Sequence, residues 1–146
     1  MANEKTFRFV LLSPERKISE REARNVIFRA ETGDIGILPG HEPLITTLAY
    51  GALRAFYGEE DEEVFAVFGG FAEMNDNVLT ILADAAERAD EIDAARARAS
   101  VELHAREKAE RTDELEIRKA ELALRRAQVR LEVSSYPIIQ GHHGNS

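Results

Sequence analysis

Cysteine is absent from the chain, which removes disulfides and thiolate chemistry while leaving the compartment open. No apolar run approaches the ~18 residues of a membrane-spanning helix. The opening residues, Met1 to Thr6, are polar. They carry neither the apolar stretch of a secretory leader nor the Arg/Ser-rich, acid-poor pattern of an organelle transit peptide. Cations are outnumbered: 19 Lys and Arg against 27 Asp and Glu leave a formal charge of −8. A general nucleic-acid binder needs the opposite balance. These limits predict a cytosolic protein, or one peripheral on a cytosolic face, with room for one compact domain or a small domain and an appendage.

Chemical signatures are equally scarce. His41-Glu42 has no second histidine at i+4, so it is no zincin motif. His104 sits in a charged helical stretch with no acid-and-nucleophile partnership apparent, which leaves a surface histidine as the default. There is no Gly-x-x-x-x-Gly-Lys loop, and Phe68-Gly69-Gly70-Phe71 lacks the helix that a dinucleotide fingerprint requires. Gly69-Gly70 reads instead as a bulge or a close backbone approach. His142-His143 lies in a Gly- and Pro-containing tail, where solvation outweighs metal binding. The expectation is an interaction protein without a catalytic or metal site.

Glycine and proline are missing from Phe71 to Tyr136, and that gap divides the chain. The first part shows short, turn-punctuated runs. Strands are predicted at Phe7–Leu12, Asn25–Ala30, Ile35–Leu38, Gly51–Tyr57, Val64–Phe68, Phe71–Met74 and Val78–Leu82. Phe7, Phe9 and Leu11 share one face; Val78, Thr80 and Leu82 oppose Leu79 and Ile81. Hairpins are expected through Gly58–Glu63 and through Asn75-Asp76-Asn77. Many short antiparallel strands suggest a small sandwich or barrel.

From Asp84 the period changes. Ile117, Ala120, Leu124, Ala127 and Leu131 recur at spacings of 3, 4, 3 and 4, a helical stripe. A first helix over about Glu91 to Arg111 would carry Ile92, Ala95, Ala99 and Leu103 on one side. Asp90 and Asp113 sit where N-caps belong, and Glu116 completes a capping-box pattern with Asp113. Arg111-Thr112-Asp113 is short enough to fold the helices back antiparallel. Glu102/Arg106, Glu107/Arg111, Glu114/Arg118 and Glu121/Arg125 are i,i+4 pairs with the acid first, the better orientation. So narrow and alanine-rich a hairpin is expected to gain little by packing on the β domain, which makes detachment plausible in energy. Arg126 and Arg130 have no glutamate four residues earlier and are the candidates for outside partners.

The most specific segment is Gly33 to Leu44, Gly-Asp-Ile-Gly-Ile-Leu-Pro-Gly-His-Glu-Pro-Leu. Three glycines and two prolines fix a backbone path expected to present Asp34, His41 and Glu42 near one end of a sheet. This order resembles the loop of the epsilon subunit of F-type ATP synthases. Phe68-Gly69-Gly70-Phe71-Ala72-Glu73, Val78 to Ala86 and Leu122 to Leu131 resemble three further segments of that family, in the same order.

The resemblance, most similar to bacterial members, implies a fold of a ten-stranded β-sandwich (residues 1–86), an antiparallel two-helix regulatory hairpin (87–135) and a tail (136–146). It implies a rotor subunit of the central stalk, peripheral on the cytoplasmic face of a bacterial membrane. Its partners would be the gamma subunit, the c-ring and the alpha/beta catalytic head. Asp34, His41 and Glu42 would face the ring, with Asp34 standing where the family usually has Glu. The subunit would couple ring rotation to gamma and restrain hydrolysis without chemistry of its own. Ile92-Asp93-Ala94-Ala95-Arg96-Ala97 matches the pattern of members that bind ATP on the folded hairpin. Glu87, Arg126 and Arg130 match further positions of that site. Leu103 stands where strong binders carry arginine, so ATP is expected as a weak regulatory ligand and no cofactor is required. The alternative is a free-standing small β-domain binding module with a helical hairpin.

Overall fold

The computed structural model describes residues 5–136. His142-His143 lies outside them. Eight strands, β1 (Phe7–Leu12), β2 (Lys17–Ala23), β3 (Asn25–Ala30), β4 (Gly33–Ile37), β5 (Leu44–Gly58), β6 (Asp61–Asn75), β7 (Val78–Ala83) and β8 (Ala86–Arg88), precede two helices. These are α1 (Ala94–Glu110) and α2 (Glu114–Ser134), with a 3₁₀ turn at Ala89–Glu91 before them. The strands run β2-β1-β7-β6-β5-β3-β4, with β8 on the other reach of β6. All pairs are antiparallel except β1 with β7.

The ten strands implied by the resemblance are eight among the described residues. The predicted segments Val64–Phe68 and Phe71–Met74 are one continuous strand, β6, because Gly69 and Gly70 bend it without ending it. At that bend β6 changes its second neighbour: Phe65 to Val67 pair with β8, Gly70 to Asn75 with β7. The sheet thus doubles over into a sandwich filled by Phe7, Phe9, Phe28, Phe65, Leu53 and Ile81, all at most 1% exposed. The predicted alternations hold: Phe7, Phe9, Leu11, Leu79 and Ile81 all point inward. Asp76 and Asn77 both have positive φ in the two-residue β6–β7 hairpin, the conformation of a twist-matching turn.

Val64 to Gly69 are buried without alternation because both faces of β6 are covered there. Phe65 and Val67 face the sandwich core. Val64, Ala66 and Phe68 join Ala52 under Val129 and Val133 of α2. The hairpin therefore docks, contrary to the expectation that it gains little from the β domain. The sequence stripe on α2 holds buried Ala120 and Ala127, whereas Val129 and Val133 lie off it and form a second apolar face. The stripe expected on α1 does not form a buried seam: Ala95 and Ala99 are exposed, and Ala97 alone in α1 is buried. The cap of α1 is Asp93, not Asp90, whose position belongs to the 3₁₀ turn. Asp113 caps α2 as expected, accepting from the Glu116 amide. Of the four predicted ladder pairs, Glu107–Arg111 meets at 3.7 Å. Glu121 instead reaches Lys108 across the hairpin, and Arg125 stacks over Tyr50.

Candidate functional site

β8, the 3₁₀ turn and the start of α1 run beside α2, leaving an open cleft of about 500 Å³. It is lined by Glu87, Ile92, Asp93, Arg96, Ala97 and Arg130, six of the seven candidate ligand-binding residues. Arg126 does not line it; it lies half-buried one turn before Arg130 on α2. Glu91, Ser100 and Ala127 complete the wall and were not expected there. Ser100 follows Arg96 by one helical turn, so its spacing was a usable signal. Ala127, a member of the α2 stripe, reaches the cleft from its packing position. Leu103 sits one turn beyond Ser100, 43% exposed and outside the cleft.

Asp93 is partly committed: one carboxylate oxygen accepts from the Arg96 amide at 3.1 Å and caps the start of α1. The guanidinium of Arg96 is exposed and makes no hydrogen bond or ion pair among the described residues. Arg130 is held. Its Nε and Nη2 each donate to one oxygen of Glu87 at 2.9 Å, a bidentate pair, and its guanidinium lies 5.1 Å from the centre of the Phe68 ring. The hydrogen bonds to Glu87 raise the basicity of Arg130, outweighing the burial that lowers it. Next to Glu87, Arg88 donates to Glu63 and to the Ile18 carbonyl, so β8 is tied to β6 and β2 where the hairpin leaves the sandwich.

The connector Gly33 to Leu44 is less compact than expected. Gly33–Ile37 is a full strand, β4, paired with β3, so Asp34 lies at its start while His41 and Glu42 lie beyond its end. The predicted strand at Ile35–Leu38 is thus largely present, Ile35 and Ile37 pairing with Phe28 and Val26, and its length sets Asp34 apart from His41 and Glu42 along the chain. Asp34 sits directly opposite Arg29 and accepts from its Nε at 3.4 Å. His41 Nδ1 lies 2.7 Å from the Glu42 carbonyl. The turn between is anchored by Asn77, which accepts from the Gly40 amide and donates to the Thr6 carbonyl, both at 2.8 Å.

Comparisons with known proteins agree with this architecture. The family described as ATP synthase, Delta/Epsilon chain, beta-sandwich domain matches residues 6–89, more than half of the chain. The ATP synthase epsilon chain of Bacillus velezensis is 42% identical over 130 residues, 89% of this chain and 98% of that one. That of Moorella thermoacetica is 43% identical over 124 residues, 85% and 92%. Among solved structures, the mitochondrial ATP synthase OSCP/F1/c-ring assembly of Euglena gracilis contains a similar chain. It has a TM-score of 0.80 at 26% identity over 90% of this chain and 82% of that one. A chain of the central stalk/c-ring of Tetrahymena thermophila mitochondrial ATP synthase shares the fold, with a TM-score of 0.60 at 12% identity. Matches of this extent leave one assignment: the chain belongs to the ATP synthase epsilon chain family.

Proposed function

We propose that the chain is a non-catalytic rotor subunit of a bacterial F-type ATP synthase, bound to gamma and the c-ring on the cytoplasmic face of the membrane. Its hairpin restrains hydrolysis by leaving the sandwich and extending toward the catalytic head. Family membership over most of the chain supports the assembly, and the docking surface supports the movement. Val129 and Val133 each contribute about 1.5–3 kcal/mol by burial. The partly exposed Arg130–Glu87 pair adds roughly 1 kcal/mol or less. A hold of a few kcal/mol is one that a competing surface can overcome. Truncation after Ala89 is expected to leave assembly with gamma intact and to raise the ATPase activity of the complex. Unchanged hydrolysis would leave only a spacer, and failure to co-purify with gamma would favour the free-standing binding module.

ATP fits this reading as a ligand of the docked form. The observation that carries it is the cleft itself, which needs β8, α1 and α2 together and vanishes when they part. A ligand that binds only this form stabilises it by mass action and relieves inhibition when ATP is plentiful. Arg96 offers an unengaged guanidinium, while a phosphate reaching Arg130 must compete with Glu87. That competition, together with leucine at position 103, sets a weak, millimolar site. Calorimetry on the isolated chain should give binding heat with ATP that Arg96→Ala removes. No heat at millimolar ATP, or equal heat from the variant, would reduce Ile92 to Ala97 to a capped helix start.

A further inference from the structure

A second arginine touches the hairpin from the other side of α2, and its geometry differs from that of Arg130. Arg29 on β3 donates from Nε to Asp34 Oδ1 at 3.4 Å and from Nη2 to Glu132 Oε2 at 3.3 Å. Nε and Nη2 form one edge of the guanidinium, the edge a single carboxylate grips with both oxygens. Glu87 grips Arg130 in that way, with both bonds at 2.9 Å. On Arg29 two carboxylates divide the edge, and each bond is long. Asp34 comes from β4, directly opposite Arg29; Glu132 comes from α2.

Arg29 is placed for this by its neighbour strand. A Cβ on Gly51 of β5 would lie 2.8 Å from Arg29 Cβ, 2.9 Å from its Cδ and 3.0 Å from its Nε. The missing side chain is thus the bed in which the arginine lies. The two strands shift register between Ile27 and Ala30, which brings position 29 over that glycine. From there the guanidinium enters a groove between β5 and α2 lined also by Tyr50, Arg125, Gln128 and Val129.

We propose that Asp34 and Glu132 compete for Arg29, so that capture of Asp34 by an outside hydrogen-bond donor tightens the docking of the hairpin. When Asp34 turns to a partner, Glu132 takes the whole edge and becomes bidentate. When α2 leaves, Asp34 takes it and is held back from the partner. Reciprocity follows from linkage: whatever the loop's partner does to docking, docking does to the partner's affinity. This rests on the reading above that the hairpin leaves the sandwich and that Asp34 faces a partner. The rotor-facing contact and the regulatory hairpin would then sense each other through one side chain.

The test uses the full chain, which lacks cysteine, with spin labels at Glu59→Cys and Arg118→Cys in a Val133→Ala background that brings the undocked form into range. Asp34→Asn should raise the docked-to-undocked ratio about two- to fivefold, the scale of a partly exposed ion pair. Glu132→Gln should lower it, and Asp34→Asn should then have no effect. An Asp34→Asn variant that lowers the ratio, leaves it unchanged, or acts equally beside Glu132→Gln overturns the competition. If one short distance persists in every variant, the hairpin-release reading falls. The competition is then read separately by urea unfolding, where Asp34→Asn costs less in the parent, in which Glu132 takes up the freed donor, than beside Glu132→Gln. Additive effects in that cycle would overturn it.

Discussion

Gly70→Ala is expected to destabilise the sandwich by about 4 kcal/mol or more, an exceptional loss for one methyl group. Gly70 has φ of +124°, and a Cβ there would meet the Leu82 carbonyl oxygen at 2.0 Å and the Ala83 Cα at 2.9 Å. Both atoms are backbone of β7, which is pinned on its far side by parallel pairing with β1. Neither can step aside as the tip of a flexible side chain would. The backbone conformation itself adds roughly 1–3 kcal/mol for any residue with a side chain. Gly40→Ala is the control: φ is +80°, but nothing lies within 4 Å of its Cβ position. It should cost only the conformational share, about 1–2 kcal/mol. Urea midpoints that fall equally for the two variants would show that the bend at Gly69-Gly70 is not fixed by the approach of β7.

Val133→Asp should detach the hairpin without unfolding the sandwich. Val133 is 0% exposed and packed in one cluster with Ala52, Val64, Ala66 and Phe68. Arg130 and Arg54, which lie over rings of that cluster, are already paired with Glu87 and Glu62. Burying an unpaired charge costs several kcal/mol, more than Val129 and the partly exposed arginine contacts can hold. The cheaper outcome is release, because α1 and α2 keep their caps and their mutual packing. Small-angle scattering should show a larger radius of gyration, while urea unfolding of the β domain stays close to that of the parent. In the assembled complex the released hairpin should lower ATPase activity several-fold, and ATP should no longer restore it. Truncation after Ala89 in the same chain should abolish the effect. A compact Val133→Asp chain with normal ATP response would mean that α2 is not held by this face.

What was legible in the sequence depended on how local its cause was. Phe7-Arg8-Phe9-Val10-Leu11 alternates because one face is buried, and the strand appears as read. The Asp76-Asn77 turn and the Asp113 cap are equally local, set by side chains that tolerate positive φ or accept an early amide. β2 was missed because Lys17, Glu20, Arg21 and Glu22 make it look like a loop; it is an edge strand, where charge discourages further pairing. β8, at three residues, exists only because β6 offers it a ladder. In the candidate site, Ile92 to Ala97 was recognisable as a segment, and Glu87 and Arg130 were named beside it. That Glu87 occupies both donors of Arg130 was not readable, since the two are 43 residues apart. Nor was Arg29, whose role depends on a glycine in the neighbouring strand and on a glutamate 103 residues on.

The parallel pairing of β1 with β7 has a consequence during synthesis. The first strand cannot find its second neighbour until residues 78–83 have emerged, so the sandwich closes late in its own length. Once closed, it has its complete core before α2 exists. At ~5–20 residues per second, the ribosome needs roughly 3–10 s to add the residues from there to the end of α2. For those seconds Phe68 and Val64 stand uncovered on a finished β domain. A nascent chain in that interval presents the same bare face as a mature one whose hairpin has left. Whatever binds the extended state therefore has a first opportunity to do so before the docked state has formed.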